Sequence, residues 1–140
     1  MEARNHKPHF QVAAGLIWRE GKLLITRRPP GSHLAGFWEF PGGKQEGDES
    51  LESCLEREIK EELGVEISVG KPFRTVQYEY ETKNITLHVF HCKNLKGLPK
   101  ALEGQETRWI RPKDFPQYNF PPPDLEIIKA LNRTEYIPHS

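Results

Sequence analysis

The segment Ser50 to Gly64 constrains the fold more than any other part of this chain. Ser50 is a natural N-cap and Gly64 a natural helix stop. At about 100° per residue, Leu51, Leu55, Ile59 and Leu63 fill one arc, with Ser53, Glu56 and Lys60 opposite. A helix with one apolar stripe must bury it against another layer. Glu58, Glu61 and Glu62 lie on an arc adjoining the stripe, with Glu62 nearest its edge. Like charges at such spacings cost roughly a few tenths of a kcal/mol per pair. Acids placed beside the core, away from the solvent side that holds Lys60, point to a bound cation. A solvated acidic face is the alternative the helix alone leaves open. Hard oxygen donors suit Mg²⁺ (or Mn²⁺) better than zinc.

The rest of the chain supplies strands for this helix to lie on. Residues 10–18 form a run suited to a largely buried strand, and Glu20-Gly21 turns it into a partner at 22–28. A loop follows over 29–36, then a short strand at 37–40 stopped by Pro41-Gly42-Gly43. After the helix, 72–80 and 85–92 alternate as strands, and 106–111 is another short one. Residues 121–132 predict a last helix, with prolines near its start and Leu125, Ile128 and Leu131 on one face. Both chain ends are expected to fray. This order predicts an α/β or α+β fold around a mixed sheet.

At 140 residues the chain suits a single domain spanning 1–140, with an ordered core over about 9–132. Lys+Arg equals Asp+Glu at 20 each, which argues against coating a nucleic-acid polymer. The charge is uneven, with eight acidic against two basic residues over 46–62. No apolar run approaches the ~18 residues of a membrane span, and the first residues are polar, so a cytoplasmic location is expected. Cys54 and Cys92 are expected to be reduced, buried thiols.

Gly42 and Gly43 allow close backbone approach, and their carbonyls are possible metal ligands. Arg57 stands where it can orient neighbouring carboxylates, Glu49 among them. Gly43, five residues, Glu49, seven residues, then Arg57-Glu58-Ile59-Lys60-Glu61-Glu62-Leu63-Gly64-Val65 fills every fixed position of the Nudix box. The chain therefore resembles the Nudix hydrolases. Trp38 to Lys44, Glu103-Gly104-Gln105 and 120–131 are similar to the MutT-type members, which are small nucleoside triphosphate pyrophosphohydrolases.

The resemblance implies an α/β/α sandwich with a central mixed sheet and the carboxylate helix lying on it. It implies hydrolysis of (d)NTPs to a nucleoside monophosphate and pyrophosphate, with Mg²⁺ held by Glu58, Glu61, Glu62, Glu103 and the Gly42 carbonyl. Glu58 is the favoured base and Glu103 the second choice. Arg57 orients Glu58, and Glu49 holds Arg57. Arg28, Phe40, Lys44, Tyr80 and Asp124 fall at substrate-binding positions. The partner implied is a small nucleotide. No nucleic-acid polymer or membrane is required, and the chain is a monomer or dimer.

The preferred base rests on one departure. Oxidised-guanine members carry an Asn near the start of the last helix, where this chain has Asp124. An ionised Asp only accepts hydrogen bonds, which suits the amine of cytosine or adenine, or the N1–H and N2 amine of guanine, but not O6 of guanine, unless the acid stays protonated. A helix cap is the plainer role for Asp124. The nearness to MutT favours 8-oxo-dGTP; CTP and modified dCTP come next. A non-catalytic module that reads damaged guanine is the alternative of another class.

Overall fold

The computed structural model describes residues 7–133; the expected fraying of the chain ends lies largely outside them. Strand β1 (His9–Arg19) turns through Glu20-Gly21 into β2 (Lys22–Arg27). Both turn residues have positive φ, 51° and 78°, the twist that suits a tight hairpin. Next come β3 (Trp38–Glu39), β4 (Gly42–Lys44), α1 (Leu51–Leu63), β5 (Glu66–Glu79), β6 (Asn84–Lys96) and β7 (Thr107–Ile110). A 3₁₀ helix (Pro112–Gln117) and α2 (Pro122–Arg133) complete the described chain.

The sheet runs β3-β2-β1-β6-β5, with β4 paired to β1 and β7 to β2. β1 and β6 are parallel and the other pairs antiparallel, so the sheet is mixed. Strand alternation splits the apolar residues into two cores. Ala14, Leu16 and Trp18 of β1 join Leu23, Ile25, Leu87 and Val89 beneath α2. Ala13 and Ile17 join Leu24, Phe90 and Cys92 beneath α1. The result is the expected α/β/α sandwich.

Ser50 caps α1, its hydroxyl accepting from the Ser53 N–H at 3.0 Å, and Gly64 ends it in the left-handed region (φ 71°). Leu55, Ile59 and Leu63 are fully buried. Their burial contributes roughly 1.5–3 kcal/mol each, well above the repulsion among the acids. Cys54 and Cys92 are free and buried, and burial pushes both thiols up to about 12.

Three expectations change. Gly42 and Gly43 do not stop the sheet: with Lys44 they form β4, pairing with β1 at Ala14, Ala13 and Val12. A three-residue strand with two glycines has no apolar alternation to reveal it. Strand β5 begins at Glu66, well before Pro72, with register shifts on both sides of Pro72; an edge strand tolerates such a residue. In α2 the inner face is Asp124, Ile127, Ile128 and Leu131, while Leu125 is 44% exposed. The helix is rotated so that an acid, not Leu125, points inward.

Candidate active site

Glu62 of the acid row, Glu103 and the glycines of β4 line a cleft of about 340 Å³ between the sheet, α2 and the loops after β2 and β6, with Glu58 against Gly43 beside it. A Cβ on Gly43 would stand 2.2 Å from Cδ of Glu58, and one on Gly42 1.9 Å from the Ala13 carbonyl oxygen. Only glycine lets β4 run this close to both α1 and β1.

Arg57 organises the acids. Its Nε and Nη2 donate to the two oxygens of Glu49, at 3.0 and 2.7 Å. Its Nη1 donates to Glu58 at 2.9 Å and to Glu61 at 3.3 Å, and its Nη2 reaches the Lys44 carbonyl at 3.2 Å. Glu49 also accepts from the Glu46 N–H at 2.8 Å. The Arg57 bonds, with this backbone bond, hold the Glu49 carboxyl down at about 2, and Glu49 in turn raises Arg57. The expected Glu49–Arg57–Glu58 chain is thus present in full.

Glu62 lies deeper. Burial, then a hydrogen bond that the protonated Glu62 donates to Glu58, and the charges of Glu58, Glu39 and Glu103, push its carboxyl up to about 9. Among the described residues, no three acids already stand as a closed ligand cage. Arg57 draws Glu58 and Glu61 to itself, as expected for like charges seeking a counter-charge. The groups nonetheless fit a divalent cation. Glu58 and Glu103 both act on Glu62, all three are hard oxygen donors, and that crowding is what a cation relieves.

Arg28, Glu39, Lys44, Tyr80, Lys83 and Asp124 also line the cleft, and the charge of Glu39 acts on both Glu62 and Asp124. Asp124 does not cap α2: it sits in the first turn, buried, and its Oδ2 accepts from the Phe40 N–H at 3.2 Å. Burial, then the charge of Glu39, push Asp124 up to about 8. Tyr80 meets His33 edge-on at 4.9 Å, and burial pushes its hydroxyl up to about 12. Phe40 reaches the cleft through its backbone, since its ring is 3% exposed and packs on Phe115 and Phe120. Lys44 Nζ lies 4.0 Å from the centre of the Phe10 ring. Arg28 faces the cleft but is engaged, donating to both oxygens of Glu39 at 3.0 and 3.1 Å.

Sequence reasoning assigned no role to Glu39, His33, Lys83 or Gln105. Glu39 had a signal: it is a lone charge between Trp38 and Phe40, whose side chains enter the core, so alternation turns Glu39 the other way. His33 and Lys83 lie in loop and turn, where no period marks a face.

A layered α/β/α fold with a row of carboxylates beside a cleft and cations along its wall defines a metal-assisted phosphate-ester or anhydride hydrolase. Comparison with known proteins sharpens this class. The profile of the NUDIX domain matches residues 13–130. A CTP pyrophosphohydrolase of Escherichia coli is 41% identical over 122 residues, covering 87% of this chain and 90% of that protein. An 8-oxo-dGTP diphosphatase of Haemophilus influenzae is 36% identical over 130 residues, covering 91% and 96%. The crystal structure of a MutT protein from Methanosarcina mazei superimposes with a TM-score of 0.79 at 29% identity, covering 92% and 99%. The chain belongs to the Nudix family, the hydrolases that cut phosphoanhydride bonds. No helix among the described residues is long and apolar enough to cross a membrane.

Proposed function

We propose that this protein hydrolyses nucleoside triphosphates to the monophosphate and pyrophosphate with Mg²⁺ bound, and that 8-oxo-dGTP is its preferred substrate. The observation that carries the reading is the cleft itself, which holds Glu62 and Glu103 beside the acid helix together with the buried Asp124 of α2. The triphosphate lies toward α1 and the base toward α2. Mg²⁺, when bound by Glu58, Glu61, Glu62, Glu103 and the Gly42 carbonyl, supplies charge neutralisation of the phosphates and a more acidic water.

The chain's own residues do the rest. Glu58 takes a proton from water as the water oxygen bonds to the β-phosphorus. The bond from that phosphorus to the bridging α–β oxygen breaks, and the α-phosphate leaves on the nucleoside monophosphate. Arg57 fixes the Glu58 carboxylate through the 2.9 Å bond, and Glu49 fixes Arg57. Arg28 holds Glu39 in place, and Lys44 adds positive charge beside the phosphates.

Asp124 supports the choice of base. At neutral pH an acid at about 8 keeps its proton. Because Oδ2 accepts from Phe40, the proton belongs on Oδ1. The group then donates once and still accepts, as an Asn amide does. It matches O6 and N1–H of an oxidised guanine. The same pair matches N3 and the amine of cytosine. The likeness to a CTP pyrophosphohydrolase therefore favours cytosine nucleotides as the second reading.

Pyrophosphate release with Mg²⁺ should be measured on 8-oxo-dGTP, dGTP, CTP, dCTP and 5-methyl-dCTP at low micromolar concentration. The expected result is the highest kcat/KM on 8-oxo-dGTP. A cytosine preference would replace it with the second reading. No turnover of any of the five would sink both.

A further inference from the structure

The loop that brings Glu103 to the cleft is fastened to the C-terminal end of the acid helix. The last carbonyls of a helix have no partner within it. Here the Glu62 carbonyl accepts from the Leu102 N–H at 3.0 Å, and the Leu63 carbonyl accepts from the Lys100 N–H at 2.9 Å. A side chain joins them. Gln105, only 8% exposed, donates from Nε2 to the same Glu62 carbonyl at 3.2 Å. Its Oε1 accepts from the Glu103 N–H at 3.0 Å. One amide therefore spans the backbones of two acids that face each other across the site.

We propose that Gln105 is a positioning residue that sets Glu103 against Glu62, so that the acids from α1 and from the loop act as one unit. Glu103 brings its charge up to Glu62, where the charges of Glu58 and Glu39 already act, and this crowding of negative charge disfavours the docked loop. A carboxylate at 105 would add to it, and a lysine would need a charge partner in a buried place. A neutral amide with one donor and one acceptor satisfies both backbones and adds no charge. The proposal rests on the reading of Glu103 as a site residue, and the test separates the two.

Gln105→Met keeps the length of the side chain and removes both bonds. It is to be compared with Glu103→Gln and with the double variant, measuring kcat and KM in Mg²⁺ on the preferred nucleotide. Mn²⁺ binding to the free protein and amide exchange over 98–105 are read alongside. Displacing a working group by about 1 Å costs on the order of 100-fold in rate. The expected result is a loss of that size in kcat for Gln105→Met with little change in KM, weaker Mn²⁺ binding and faster exchange in the loop but not in α1. Adding Gln105→Met to Glu103→Gln should cost nothing more. Equal losses in both backgrounds, or an unchanged kcat, would overturn the proposal. Unchanged turnover in Glu103→Gln alone would instead remove Glu103 from the site. If Gln105→Met does not fold, Gln105→Asn, whose shorter amide cannot span both backbones and adds no charge, carries the same cycle.

Discussion

Asp124 shows how far a single residue can be read before its surroundings are known. Its sequence position gave the place in the last helix but left two roles, a cap and a base-reading acid. The choice depends on the rotation of α2, which buries Asp124 and exposes Leu125. Burial has a consequence that can be measured. The folded value, about 8, stands above the ordinary 3.8, so the folded chain keeps a proton that the unfolded chain releases. Its contribution to stability is complete below the unfolded value and is lost as pH rises from about 4 to about 8. Asp124→Asn cannot lose that proton. Relative to the parent, it is expected to gain on the order of a few kcal/mol between pH 5 and pH 8, read from urea midpoints. An equal difference at both pH values would mean that Asp124 does not titrate in this range.

At the scale of elements, α1 was legible almost to the residue, because cap, stripe and stop agree. The glycine strand β4 was not, because its pairing is with backbone and leaves no pattern in side chains. The two glycines predict different failures. A Cβ at Gly43 meets the far end of a flexible Glu58 side chain, which can swing aside. Gly43→Ala should therefore change stability by less than about 1 kcal/mol while turnover drops on the order of 100-fold. A Cβ at Gly42 meets the backbone of Ala13 and Ala14, which cannot move without breaking the β1–β4 pairing. Gly42→Ala should lower the thermal midpoint sharply. Thermal melts and pyrophosphate release on both variants check the contrast, and a Gly43→Ala enzyme with full activity would show that Glu58 needs no space there. Gln105 was quoted in sequence only as part of a motif, since a buried amide acting on two backbones has no spacing of its own.

Across the whole molecule, a net charge of zero conceals an acidic end that is costly to keep bare. A cation that binds only the folded form stabilises it by mass action, about 2.7 kcal/mol at 100 times its dissociation constant. Mg²⁺ or Mn²⁺ is therefore expected to raise the melting temperature by several degrees, with a smaller rise in Glu61→Gln. A melting temperature that ignores both cations would argue against the acid row as their site. The order of strands and helices predicted a mixed sheet with helices, and the sandwich followed from the resemblance carried by the Gly43–Val65 pattern. The cleft was not legible, because its walls come from segments joined only by the fold.

The parallel pairing of β1 with β6 also sets an order of events. Phe10 must find Ile85 across most of the chain, whereas the β1–β2 and β5–β6 hairpins close locally. Long closures cost more entropy and come late in folding. Helix α1 can coil early, but its last carbonyls wait for residues 100–105, which arrive after β6. Fastening of the acid end is thus expected to follow the pairing of β6, and a chain still emerging during synthesis carries the acids of α1 before the loop that closes on them.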